Sequence, residues 1–162
     1  MNFHNHTKDI KFGESFVLYL KKNIPEIYKK KFNLKLCNPN HKSINGAMGI
    51  MNGRNNIWIA VPTVCLPNYV IQYVKCNYIC PTKLEFCICI FFHEYCHFVR
   101  LKDNKPSAKH YYCSSKHRIT EERFCERYMV QMIRKLHICK KAYDDPMNSI
   151  KDGPIVWYWY DE

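Results

Sequence analysis

Acidic residues are scarce in this chain. It carries 14 aspartates and glutamates against 25 lysines and arginines over 162 residues, a formal net charge of +11. Such an imbalance pulls toward acidic partners or nucleic acid. No DNA- or RNA-binding motif accompanies it, so nucleic acid is a partner supported by charge alone. No apolar run reaches 18 residues, which excludes a membrane-spanning helix; the longest, Phe86 to Phe92, is far shorter. The first residues, Met1-Asn2-Phe3-His4-Asn5-His6, are polar and hold no signal-peptide core. With ten cysteines and no secretory signal, the expected setting is cytoplasmic with reduced thiols. A disulfide framework is the alternative. Cys-x-x-Cys knuckles, internal repeats and low-complexity segments are all absent.

What the chain has in quantity is apolar and aromatic mass, 47% and 15% of its residues. At this length that builds one domain with a sizeable core. We therefore expect residues 1–162 to be a single domain, with a loose N-terminus at 1–12 and a C-terminal tail at 138–162.

The most informative stretch is Phe91-Phe92-His93-Glu94-Tyr95-Cys96-His97-Phe98. On a helix, His93 and His97 project from one face a turn apart. Two imidazoles at that spacing can share a tetrahedral Zn²⁺. Glu94 lies about 100° further round, where it can take a proton from a metal-bound water. Leu84, Ile88, Phe91, Tyr95 and Val99 form an apolar stripe, and Cys89 and Ile90 lie beside the histidines. Both faces are largely apolar, so the helix, about Lys83–Leu101, is expected to be buried. Buried histidines need partners.

Before this helix, the periodicity predicts a helix from Glu14 to about Lys31, kinked or split at Pro25. A strand follows through Phe32, Leu34 and Leu36. Ala47–Met51 and Ile57–Val61, joined through Asn52-Gly53, read as a hairpin. Pro62 ends the second strand, which is expected at a sheet edge. Pro67–Tyr78 is expected to be helical, with a buried strand as the alternative. After the buried helix comes a polar loop, Lys102–Lys116, then an amphipathic helix from about Arg118 to His137 that Ser114 or Ser115 can cap.

A catalytic zinc site needs a third protein ligand and an open position. On the later helix, Glu122, Cys125, Glu126, Met129 and Ile133 share a face. Glu122 is the favoured ligand, with Glu121 and Glu126 as fallbacks. Glu126 can accept a hydrogen bond from the outer nitrogen of a ligand histidine. Asp103 stands at the spacing of the metzincin third ligand, although that motif needs glycine where Arg100 stands. Cys76, Cys80, His110, Cys113 and His117 are candidates for a second, structural zinc. Tyr111, Tyr112, His110 and His117 are candidates for stabilising an oxyanion.

The order of helix, strand, hairpin, His-Glu-x-x-His helix and Glu122-x-x-Cys125-Glu126 helix resembles the small gluzincins. It is most similar to the ImmA/IrrE-like minimal metallopeptidase domains, over about residues 14–137. The resemblance implies an α+β, zincin-like fold. It would have a small antiparallel or mixed sheet, an N-terminal helix, a central His-Glu-x-x-His helix and a helix carrying the third ligand. It implies zinc on His93, His97 and Glu122, Glu94 as general base, Glu126 as a supporting carboxylate, and Ile57–Val61 as the edge strand that pairs with an extended substrate. The function expected is a zinc-dependent endopeptidase acting on a peptide or protein. The alternative is a zinc-stabilised binding or regulatory module with little hydrolysis, acting near nucleic acid. Retention of Glu94 favours the enzyme.

Overall fold

The computed structural model describes residues 1–53, 55–66, 68–72, 77–142 and 155–156. Within them the protein is a mixed α+β structure of two small sheets and five helices. β1 (Asn2–Asn5) leads through α1 (Ile10–Asn23) and α2 (Pro25–Tyr28) to β2 (Asn33–Cys37). β3 (Gly49–Asn52) and β4 (Asn56–Ala60) form a hairpin, and β5 (Tyr69–Gln72) and β6 (Asn77–Cys80) form another strand pair. Then come α3 (Lys83–Lys102), α4 (Pro106–Lys109), α5 (Ser115–Leu136), β7 (Lys140–Ala142) and β8 (Ile155–Val156).

Pro25 splits the N-terminal helical stretch as expected, because it has no N–H to continue the ladder. The helix starts earlier than the periodicity suggested, at Ile10, because the Asp9 carboxylate accepts from the Phe12 N–H. The N-terminus is not loose. Asn2–Asn5 adds to β2 as a parallel strand, and Asn5 ties down the turn through Thr7 and Asp9. The polar character of this segment concealed a strand whose stability comes from backbone pairing.

The first sheet has the order β1-β2-β4-β3, with β1, β2 and β4 parallel and β3 antiparallel to β4. In register, Leu34 faces Ile57 and Leu36 faces Ile59, all fully buried toward α3. The alternate positions, Trp58 and Ala60, join Cys37 and Ile44 in a small core on the opposite side. Ile57–Val61 is therefore not an edge. β2 covers one side of it and β3 the other, and the edge next to α3 is Gly49–Asn52.

The second sheet runs β7-β6-β5-β8. The described parts of Pro67–Tyr78 are strand and not helix: Tyr69–Gln72 is β5, and Asn77 and Tyr78 open β6. The β-branched pair Val70-Ile71 suits a buried strand, and a short apolar run does not reveal its period. β8 pairs with β5 in parallel, so the described part of the tail meets this sheet and not β4.

Thr82 and Glu85 form a reciprocal capping box at the start of α3. From Phe86 to Cys96 every residue of this helix is buried. β3, β4, β5, α1 and α5 surround it, so its two apolar faces both find cover. Phe91 sits at the centre, with its ring against Phe16, Phe32, Phe92 and Tyr95. α5 is capped by Ser114 and ends at His137 in the left-handed region. Among the described residues, no helix is long and apolar enough to cross a membrane.

Truncating Phe91 leaves a cavity that the surrounding rings cannot fill. Phe91→Ala is expected to lower stability by about 3–5 kcal/mol, read as a shift of the denaturant midpoint. A loss under about 1 kcal/mol would show that α3 is not the centre of the core.

Candidate metal centre

The middle of α3 meets the first turns of α5, and three ligand-type atoms converge there. His93 Nε2 lies 3.2 Å from His97 Nε2, as one helical turn dictates. Glu122, from α5, brings Oε2 to 3.0 Å from His93 Nε2 and Oε1 to 3.6 Å from His97 Nε2. Bonds of about 2.0–2.1 Å in a tetrahedral site place ligand atoms about 3.3–3.4 Å apart. The three separations bracket that value, so these residues fit a metal ion as they stand. Of the alternatives for the third ligand, Glu122 is the one that joins the two histidines.

Glu121 faces the other side of His97. Its carboxylate is completely buried, and its Oε1 lies 3.6 Å from His97 Nδ1. Arg100 Nε donates to both of its oxygens, at 2.9 and 2.8 Å. Ser107, from α4, donates to Glu121 Oε2 at 2.7 Å and accepts from Arg100 Nη2 at 2.9 Å. These partners satisfy Glu121, so it orients His97 from behind. Glu126 lies one turn past Glu122 on α5, partly buried. The carboxylate placed at the outer nitrogen of His97 is Glu121.

Asp103 does not reach this centre. α3 continues through Lys102 because Arg100 stands where a sharp ending would need glycine, and Asp103 is an exposed cap. The arginine that breaks the metzincin pattern is the one that anchors Glu121.

Charge balance in the cluster follows from burial and hydrogen bonding. Burial alone would disfavour an imidazolium at His97, but Glu121 and Glu122 outweigh it and raise its pKa to about 10. Glu122 is held below the usual carboxylate range: burial opposes this, and the contacts with His93 and His97 prevail. A metal ion taking these atoms must displace protons, so affinity falls as pH falls.

Glu94 is 5% exposed and lies beside the three converging groups. Burial pushes its pKa up, as does Glu122, while His93, His97 and a hydrogen bond from the Met51 N–H pull it down. Met51 belongs to β3, which crosses α3 at close range. A Cβ on Gly49 would lie 2.5 Å from Ile90 Cγ2 and 2.8 Å from Glu94 Cγ. Glycine at 49 is what lets the edge strand approach Glu94. Sequence inspection missed this, although a glycine opening an apolar strand is the sign of close backbone approach.

Of the four oxyanion candidates, only Tyr111 is at the centre. Its hydroxyl donates to Glu122 Oε1, and its ring stands edge-on to His97. Tyr112 is 90% exposed, and His110 is exposed. His117 turns to Ser114, 2.8 Å away. Among the described residues, the candidates for a second, structural zinc do not gather into one group. Cys113 lies 3.8 Å from His110 on the surface, the His110 and His117 rings are 5.6 Å apart, and Cys76 lies outside the described residues. Cys80 meets Cys89 and Cys139 instead.

In comparisons with known proteins, no family model, no curated protein and no solved structure matches this chain. The reading of the site therefore stands on its geometry.

Two losses are expected from this arrangement. His93→Ala or Glu122→Ala should remove one equivalent of bound divalent metal from the purified protein, read by elemental analysis. Glu121→Ala should weaken metal binding about 10–100-fold, since it frees the outer nitrogen of His97. It should also cost about 3–5 kcal/mol by stranding the partly buried Arg100. Full metal occupancy in Glu122→Ala would refute the ligand set.

Proposed function

We propose that the protein is a zinc-dependent peptidase of the gluzincin type, in a zincin-like fold. The observation that carries this reading is the convergence of His93, His97 and Glu122 beside the buried Glu94, under the edge strand β3. The donor set of two imidazoles and one carboxylate suits zinc and leaves a fourth position for water. Zinc bound there would polarise a peptide carbonyl and acidify the attacking water.

The rest of the work falls to the chain. Glu94 accepts the proton of the water and returns it to the departing amine, which requires a carboxylate poised between its charged and neutral forms. The Met51 N–H fixes the carboxylate, and Gly49 keeps the strand close enough to do so. Among the described residues no strand pairs with the outer side of β3, where an extended peptide would add as a further strand. Tyr111 can turn its hydroxyl from Glu122 to the scissile carbonyl oxygen as negative charge develops there. Glu121, Arg100 and Ser107 hold His97 in place throughout. The peptide or protein substrate is recognised through its backbone along β3, and the basic surface favours acidic substrates.

Glu94→Gln tests this directly. The amide is nearly isosteric but accepts no proton, so metal content and melting temperature should stay near wild type while peptide hydrolysis falls about 10²–10⁴-fold. Tyr111→Phe should keep the metal and lower kcat about 10²-fold, with little change in KM. A Glu94→Gln protein that cleaves a peptide library at the wild-type rate would sink the assignment.

A further inference from the structure

Three cysteines from three separate elements meet one helical turn from the centre described above. Cys80 ends β6, Cys89 lies in the second turn of α3, and Cys139 follows α5. Cys139 Sγ is 2.9 Å from Cys80 Sγ and 3.4 Å from Cys89 Sγ, and all three sulfurs lie within 4.8 Å of one another. Cys80 and Cys89 are completely buried, and Cys139 is partly so.

We propose that Cys80, Cys89 and Cys139 form a second metal site, a thiolate site for a soft divalent cation, zinc by its charge. It is independent of the reading of the His93–His97–Glu122 centre.

Other buried cysteines show what packing alone looks like. Cys37 and Cys87 sit singly in the core, their thiols pushed up by burial. Such cysteines behave as small apolar side chains. The cluster differs in that three sulfurs turn toward one point. A disulfide would join two of them and leave the third without a purpose.

The backbone also pays for this convergence. His137 and Cys139 both adopt the left-handed region, with φ of 53° and 61°. Neither is glycine, and cysteine has no local hydrogen bond to favour that conformation. The turn brings the chain back antiparallel to β6, where Ile79 pairs with Lys140. Continuing that register sets Cys139 opposite Cys80.

Zinc–sulfur bonds of about 2.3 Å place tetrahedral thiolates about 3.8 Å apart, so an ion would spread the sulfurs by less than about 1 Å. Three thiolates and Zn²⁺ leave one negative charge, against two for a monovalent ion. The partly exposed side at Cys139 leaves the fourth position to water. Bound there, the ion would staple the second sheet and the exit of α5 to α3, the helix that carries the histidines. No Cys-x-x-Cys knuckle announces this site. Its ligands are nine and 50 residues apart in sequence, with Cys80 and Cys89 flanking the helix cap.

Cobalt substitution of the full chain tests the proposal. Co²⁺ bound by thiolates gives an intense near-ultraviolet charge-transfer band that His and carboxylate ligands do not give. The band should appear in the wild type, persist in a His93→Ala/His97→Ala double variant, and disappear in Cys80→Ser and in Cys139→Ser. Elemental analysis should find about two zinc ions per chain in the wild type and one in the double variant. Should a serine variant fail to fold, thiol labelling of the wild type decides: these three cysteines should resist the reagent until a chelator is added. Absence of the band in the wild type, or a disulfide between any two of the three by peptide mapping, would overturn the proposal. Loss of the band in the double variant would also overturn it. Failure of the first centre alone would leave the band in place.

Discussion

The burial of α3 on all sides is the constraint on which the rest depends. Eleven consecutive residues, Phe86 to Cys96, are hidden from water, and His93 and Glu94 are among them. An apolar helix in that position would only stabilise the core. A helix carrying two imidazoles and a carboxylate there must also satisfy them, because an unpaired buried polar group costs several kcal/mol. The surrounding elements supply the partners: Glu122 for the two inner nitrogens, Glu121 for the outer nitrogen of His97, and the Met51 N–H for Glu94.

The two carboxylates at the start of α5 show how neighbours in sequence take different roles. Glu121 and Glu122 are about 100° apart on the helix, so they approach His97 from opposite sides. Glu121 is closed off by Arg100 and Ser107. Glu122 remains with the histidine pair and with Tyr111. The first holds the ring in place and the second is free to share an ion. Arg100 links both ends of this arrangement, binding Glu121 and stacking over Phe124 at 3.9 Å. Replacing either member of the Arg100–Glu121 pair leaves the other charge without its counterpart, so the pair behaves as a unit.

Strands matter to the site through their backbone more than through their side chains. β3 reaches Glu94 because residue 49 has no Cβ. It stands at the sheet edge because β2 pairs in parallel with β4 and takes the other flank. Parallel pairing of β1 with β2 depends on the crossover through α1 and α2, and that of β2 with β4 on the connection that carries β3. Such long-range pairing leaves little trace in local patterns: β1 reads as a polar tail, and β4 reads as an edge.

The sequence by itself determined what short-range periodicity encodes. The spacing of His93, Glu94 and His97 follows from 3.6 residues per turn, and two apolar faces made α3 a buried helix. Pro25, Asn52-Gly53 and the Ser114-Ser115 pair marked a break, a hairpin and a cap because their chemistry acts over a few residues. The shared face of Glu122 and Cys125 directed α5 inward. Tertiary structure alone decided which carboxylate met which nitrogen, since that depends on how α5 rotates against α3. It decided that the edge is Gly49–Asn52, through the pairing order of distant strands. It selected Tyr111 from four candidates close in sequence, and it gathered Cys80, Cys89 and Cys139 through a left-handed turn after α5 and the register of β7 on β6. Each of these rests on contacts between segments far apart in the chain, where no local spacing carries the information.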